Sequence, residues 1–264
     1  MEYRDFIVGG MSGVISRTLT APLELSKIQQ QNRFMPNTTL IDVIKKEGIL
    51  GLWKGNYSNC VRIFPQMAIN FSCFQYFDSF FSEYIHNKQA SKFVSGGFAG
   101  MIAVTIIYPL ENARSRLSLQ TNKDHYKGLG DVLRKTPPKQ LYNGLKMSLI
   151  GFTPYNALNF MFYSMFKNVI YDSNMETSVS KLLCGGLAGM GAVTFTYPTD
   201  LIRRRLQLQG FNSVVPQYDG ILDCCKKIYL KEGIPGFYRG LIQCYIKIFP
   251  AVAIQFWVMD TFKK

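Results

Sequence analysis

Thr20-Ala-Pro-Leu-Glu-Leu-Ser-Lys27 returns twice in altered form, as Tyr108-Pro-Leu-Glu-Asn-Ala-Arg114 and as Tyr197-Pro-Thr-Asp-Leu-Ile-Arg203. Each copy reads proline, any residue, acid, two residues, base. With Pro at about 5% of residues and roughly one residue in eight of either charge sign, a match is expected at about one position in a thousand. Three matches whose prolines stand 87 and 89 residues apart therefore mark a threefold repeat, with units at 1–88, 89–176 and 177–264.

Ahead of each proline lies an apolar, glycine-bearing run. Gly9, Gly10 and Gly13 recur as Gly96, Gly97 and Gly100 and as Gly185, Gly186 and Gly189, a spacing that lets helices approach closely. Phe93 to Leu110, Met147 to Phe166 and Leu182 to Thr199 carry no charge over 18 to 20 residues, about the length that crosses a hydrocarbon core as a helix. The first helix is expected to run from Tyr3 to Phe34, kinked at Pro22 as its counterparts are at Pro109 and Pro198. Only 18% of residues are charged and 14% aromatic, which suits a membrane solvent better than a water-soluble core.

The net charge of +13 raises the question of nucleic acid, and its distribution decides against it. Nineteen of the 30 Lys and Arg fall in three windows, Lys27 to Lys54, Arg114 to Lys139 and Arg203 to Arg239, each just after a motif. If every motif ends a membrane helix on one side, all nineteen lie on that side, the positive-inside pattern. The six cysteines have no Cys-x-x-Cys spacing and the two histidines, His86 and His125, lie near polar segments, so no metal site, disulfide framework or cofactor is expected. The start has no cleavable targeting pattern, so a targeting signal is expected to be internal.

Beyond each motif comes a polar amphipathic segment, then an aromatic, a polar residue and a glycine: Trp53-Lys-Gly55, Tyr142-Asn-Gly144 and Tyr238-Arg-Gly240. These glycines open the next helix, where free N–H groups can take a lipid phosphate; a plain loop entering a helix is the alternative. The helices that follow carry Pro65, Pro154 and Pro250 in register, and the stretches Lys54 to His86, Asn143 to Tyr171 and Gly240 to Lys264 each suit one span. The expected fold is all-α, six transmembrane helices in three pseudo-symmetric repeats of about 88 residues, each with a short amphipathic helix between its spans.

Taken together, these motifs closely resemble the mitochondrial carrier family, and the resemblance covers the whole chain. It implies that the amphipathic helices lie on the matrix side and both termini on the cytosolic side of the inner membrane, with a cardiolipin-like lipid at Gly55, Gly144 and Gly240 and a monomeric state. It implies a matrix gate in which Glu24 pairs with Arg114, Glu111 with Arg203 and Asp200 with Lys27. Gln31 and Gln207 stand where the family has bracing glutamines, and Ser118 fills that position in the second repeat, giving a weaker brace. The opposite, cytoplasmic gate is intact only as Asp260 with Lys263; Ser164 with Lys167 and Gln75 with Asp78 are altered copies, with Gln75 able to reach Lys167, so that gate is expected to be weak.

The resemblance also places substrate contacts at Arg62, at Gly151 with Phe152, and at Lys247, with Tyr155 nearby. Arg17, where the other repeats have Val104 and Val193, adds a cation that breaks the symmetry. Cations within a span are costly in lipid and point to function, the alternative being that they snorkel or pair with acids on other helices. Three of them suit phosphates, and Gly151 leaves room for a flat ring with Phe152 and Tyr155 beside it. The pattern resembles the adenine-nucleotide branch, which includes ADP/ATP, ATP-magnesium/phosphate and coenzyme A carriers, and implies exchange of adenine nucleotides by alternating access. Thiamine pyrophosphate or another phosphorylated cofactor would suit the same cations. A proton-leak type would need an acid between the gates, and none is evident in the even-numbered spans. A non-transporting scaffold would tolerate neutral replacement of the cations. No nucleophile with a base, paired carboxylates or phosphate-cradling loop suggests an enzyme.

Overall fold

The computed structural model describes residues 3–31, 40–120, 126–172, 178–209 and 218–263, and among these the regular structure is entirely helical. The first repeat contributes α1 (Tyr3–Leu19), α2 (Ala21–Gln31), α3 (Leu40–Glu47), a 3-10 turn at Ile49–Trp53 and α4 (Asn56–Tyr84). In the second come α5 (Lys88–Leu119), α6 (Leu129–Lys135), α7 (Pro138–Leu141) and α8 (Leu145–Asp172). The third holds α9 (Ser178–Leu208), α10 (Ile221–Glu232), a 3-10 turn at Ile234–Tyr238 and α11 (Leu241–Lys263).

The long helices close into a ring: α1 packs on α4, α4 on α5, α5 on α8, α8 on α9, α9 on α11 and α11 back on α1. Ser16 Oγ donates to the Ala251 carbonyl at 2.9 Å across the closing seam. The small residues do what their spacing predicts. A Cβ on Gly10 would come within 2.5 Å of the Phe64 ring, and one on Gly186 within 2.6 Å of Phe249, so each glycine seats the phenyl that precedes the proline of its partner helix.

The first helix is not the single Tyr3–Phe34 unit expected from sequence. It breaks at Thr20 into α1 and α2, and residues 32–34 lie outside the described residues. Pro22 has no N–H for the Thr18 carbonyl four residues back. That carbonyl instead accepts a 2.8 Å bond from Trp53 Nε1, while Thr20 Oγ1 donates to the Ser16 carbonyl at 2.7 Å. Pro109 and Pro198 are absorbed inside the unbroken α5 and α9.

On apolarity alone, among the described residues only α5 is long and apolar enough to cross a membrane. The charge-free runs in α8 and α9 fall short because Asn, Ser, Thr, Tyr and Gly dilute them, and Gly151, Asn159, Gly185, Thr196 and Thr199 among these face an interior cavity. Outside the spans, α6 and α10 begin alike, in Tyr126-Lys-Gly-Leu-Gly-Asp131 and Tyr218-Asp-Gly-Ile-Leu-Asp223. The Lys127 N–H donates to Asp131 Oδ2 at 3.0 Å and the Asp219 N–H to Asp223 Oδ2 at 3.1 Å. With Lys135 and Lys227 also in reach, both carboxyls are held below the ordinary aspartate range.

Candidate functional site

At the level of the three motifs on α2, α5 and α9, three inter-repeat ion pairs ring the axis. Lys27 Nζ lies 2.8 Å from Asp200, Arg114 lies 3.0 Å from Glu24, and Arg203 pairs with Glu111. Acid and base of one motif are a turn apart on one helix face, so each motif offers its acid to one neighbouring repeat and its base to the other.

Two of the three carboxylates take a second cation. Arg62 on α4 reaches Glu111 at 3.2 Å, and Lys247 on α11 reaches Glu24. Gly151 on α8 is the symmetry-related position, and it brings no charge to Asp200. Of the two alternatives that the sequence allows for Arg62 and Lys247, snorkelling or pairing with acids on other helices, the structure shows pairing, with two of the motif acids. Arg17 is half-buried, and its guanidinium donates to Asn59 Oδ1 at 3.2 Å.

Beside this layer is a cavity of about 490 Å³. It is lined by the charged Lys27, Glu111, Asp200, Arg203 and Lys247, by Gly151, Phe152 and Tyr155, and by Val104 and Val193, the counterparts of Arg17. Arg17 and Arg62 are not among its walls. The room foreseen at Gly151 is taken: a Cβ there would stand 2.7 Å from Thr199 Oγ1, so the missing side chain serves the packing of α8 on α9. Phe152 points toward Gly100 on α5, where any Cβ would overlap its ring.

The expected braces divide three ways. Gln31 Nε2 donates to Asp200 Oδ2 at 3.4 Å and to Tyr197 Oη at 3.2 Å, touching an ion pair directly. Gln207 does not touch Glu111: its Nε2 donates to Tyr108 Oη at 3.0 Å, and its Oε1 accepts from Arg204 and Ser115. Ser118 donates to the Arg114 carbonyl at 2.9 Å and reaches no ion-pair side chain, being too short.

Gly55, Gly144 and Gly240 have φ of 75°, 86° and 87°, the left-handed region in which glycine alone is unstrained. Each presses on the helix of the next repeat. A Cβ would lie 3.1 Å from the Arg114 carbonyl, 2.8 Å from that of Arg203 and 3.4 Å from that of Lys27, respectively. At the opposite end Gln75 and Ser164 are exposed, Asp78 is half-buried, and Lys167 is exposed. Among the described residues no hydrogen bond joins Gln75 to Lys167, and Asp78 has no ion-pair partner. The side chains of Asp260 and Lys263 lie outside the described residues.

Several contributors escaped the sequence reading. Asn112, fully buried, donates to the Gln140 and Leu141 carbonyls at 3.0 Å and accepts from Arg116 Nε, tying α5 to α7. Arg205 grips Glu232 with two bonds of 2.6 and 2.9 Å. Glu232 also lies 3.8 Å from Arg239, and in the first repeat Glu47 pairs with Lys54, which stands where the third has Arg239. Tyr108 and Tyr197 donate to the Asn143 and Arg239 carbonyls, while the first repeat has Ala21 at that place and uses Trp53. The six cysteines are free, and burial pushes the Cys224 thiol up to about 12, far from a reactive thiolate.

The sequence pattern of the family described as "Mitochondrial carrier protein" matches residues 2–85, 86–174 and 174–264. The chain belongs to the mitochondrial carrier family. It is 32% identical to a mitochondrial adenine nucleotide transporter of Arabidopsis thaliana over 98% of this chain and 86% of that protein. With solute carrier family 25 member 16 of Mus musculus the identity is 33% over 99% of this chain and 87% of that carrier. A mitochondrial adenyl nucleotide antiporter of Homo sapiens is 31% identical over 99% of this chain and 58% of its own length.

Proposed function

We propose that this carrier exchanges adenine nucleotides across the mitochondrial inner membrane by alternating access, with both termini on the cytosolic side. The observation that carries the reading is the sharing of Glu111 and Glu24 between a motif base and a second cation, Arg62 or Lys247, at the edge of a cavity of nucleotide size. A polyphosphate entering from the cytoplasmic side competes for Arg62 and Lys247 and for the gate cations Lys27 and Arg203. Each cation drawn to phosphate weakens a carboxylate's hold, so substrate binding loosens the ring of ion pairs closing the matrix side. The names of the Arabidopsis and human relatives support adenine nucleotides as the cargo.

In this reading Glu24, Lys27, Glu111, Arg114, Asp200 and Arg203 form the matrix gate, which Gln31 braces. Arg17, Arg62, Lys247, Phe152 and Tyr155 meet the substrate, and Asp78, which has no ion-pair partner among the described residues, supports a weak cytoplasmic gate. The N-termini of α4, α8 and α11 at Gly55, Gly144 and Gly240 serve lipid phosphates, and the unit of transport is the monomer. The test is exchange in proteoliposomes preloaded with ATP, ADP, AMP, coenzyme A, thiamine pyrophosphate, phosphate or a dicarboxylate. Adenine nucleotides are expected to exchange; dicarboxylate exchange without nucleotide exchange would overturn the reading.

A further inference from the structure

A second cavity, of about 510 Å³, opens at the seam between α5 and α8 and reaches Asn70 on α4. Among the described residues its walls have no carboxylate, and Lys92 is the one charged residue there. It adjoins the first cavity: Phe152 and Asn159 line both. Broken symmetry explains why it exists. In the first and third repeats the phenyl before the proline, Phe64 or Phe249, lies on the second glycine of the triplet, Gly10 or Gly186. In the second repeat the corresponding residue is Thr153, the aromatic is shifted back by one to Phe152, and Phe152 lies on Gly100 instead. Among the described residues nothing lies within 4 Å of where a Gly97 Cβ would be. The α5–α8 seam is also the thinnest in the ring.

We infer that this slot over Gly97 is the pocket for the purine base of the nucleotide, an inference that rests on the transport reading above. A bare glycine backbone on one wall and aromatic rings at Phe152, Phe160 and Tyr163 leave space shaped for a flat ring, and stacking on aromatic faces suits any purine. Asn70, Asn156 and Asn159 supply amides, whose paired donor and acceptor match the adjacent amino and ring-nitrogen groups of adenine. Asn156 Nδ2 already donates to the Phe152 carbonyl at 2.8 Å, which orients its Oδ1 as an acceptor. A base seated here places its phosphates across Asn159 toward Lys247, Lys27 and Arg203. Gly151, whose space Thr199 fills, is not where the ring lies.

The deciding experiment compares wild type with Thr153→Phe, which gives the second repeat the phenyl that the other two already carry. The probes in reconstituted vesicles are radiolabelled ATP exchange and its inhibition by GTP and by base-free tripolyphosphate, with unfolding temperature in detergent as the check on folding. The expected result is a rise of tenfold or more in the KM for ATP, loss of the discrimination between ATP and GTP, and unchanged inhibition by tripolyphosphate. An unchanged KM, or equal weakening of ATP and tripolyphosphate, overturns the slot. If Thr153→Phe does not fold, Asn159→Leu is judged by the same two outcomes. Failure of the wild type to exchange any adenine nucleotide overturns the transport reading and this inference with it, whereas normal wild-type exchange with an indifferent variant overturns the slot alone.

Discussion

Glu24 and Glu111 differ from Asp200 in the number of cations they hold, although all three occupy the same place in the repeat. Glu24 is shared by Arg114 and Lys247 and Glu111 by Arg203 and Arg62, whereas Asp200 has Lys27 and the amide of Gln31. The cause is one residue: the second repeat has Gly151 where the others have Arg62 and Lys247. A closed ring needs three like pairs, and an asymmetric cargo needs unlike contacts. This fold meets both demands with the same carboxylates, by letting two of them hold a spare cation that substrate can take.

The largest effect that probes this difference is expected from removing a shared acid. Glu111→Gln leaves the buried Arg62 and the half-buried Arg203 without their carboxylate, and stranding a buried charge costs about 3–5 kcal/mol. Asp200→Asn strands only Lys27, so its loss of unfolding temperature in detergent should be clearly smaller; equal losses would mean that the second cation on Glu111 carries no weight in the fold. Next come the spare cations themselves. Arg62→Ala and Lys247→Ala leave every acid with its motif base, so unfolding should shift little while nucleotide exchange falls at least about tenfold, some 1.4 kcal/mol of binding. Loss of exchange only in step with loss of folded protein would contradict that split.

Smaller effects sharpen the contrast at the lone pair. Gln31→Ala removes the amide that supports Asp200 and should cost about 1 kcal/mol, the net value of an ordinary hydrogen bond. Ser118→Ala should cost less, because Ser118 reaches only backbone carbonyls. Thermal unfolding of the two variants in parallel checks the order. Trp53→Phe keeps the ring but orphans the Thr18 carbonyl, and should lower stability by about 1 kcal/mol without changing substrate preference.

The smallest effect lies outside the spans. Asp223, held below the ordinary carboxylate range by Lys227 and the Asp219 N–H, contributes stability that is present above its unfolded pKa and lost as pH falls through its folded one. The gap in unfolding temperature between wild type and Asp223→Asn should therefore be small at neutral pH and shrink as pH falls below the ordinary aspartate range. A gap that widened on acidification would mean that the Asp223 carboxylate destabilises the fold.

The architecture could be read from three prolines, three glycine triplets and three acid–base pairs, because each recurs at nearly constant spacing and each has a local physical cause. Partners separated by long stretches of chain could be read only where symmetry predicted them. That Arg62 meets Glu111, or Lys247 meets Glu24 at a separation of 223 residues, depends on side-chain reach across the ring, which no local pattern encodes. Gly151 was misjudged for the same reason: its empty side is visible in sequence, but Thr199, which fills it, is a property of the packed neighbour. Gln207 shows the converse, since its position matches Gln31 while Arg204 and the Tyr108 hydroxyl draw it away from Glu111.

The closing seam between α1 and α11 also dictates an order of assembly. Ser16 waits for Ala251, Lys27 for Asp200 and Glu24 for Lys247, at separations of 235, 173 and 223 residues. As the chain emerges from its N-terminus, the first repeat can fold its helices, but Lys27 waits for α9 to bring Asp200, and Glu24 waits for the last helix to bring the second of its two cations. Contacts so distant are the slow ones to form. A chain truncated before α11 would thus present Glu24 without Lys247 and Ser16 without its carbonyl, a defect at the beginning of the molecule that reports a missing end.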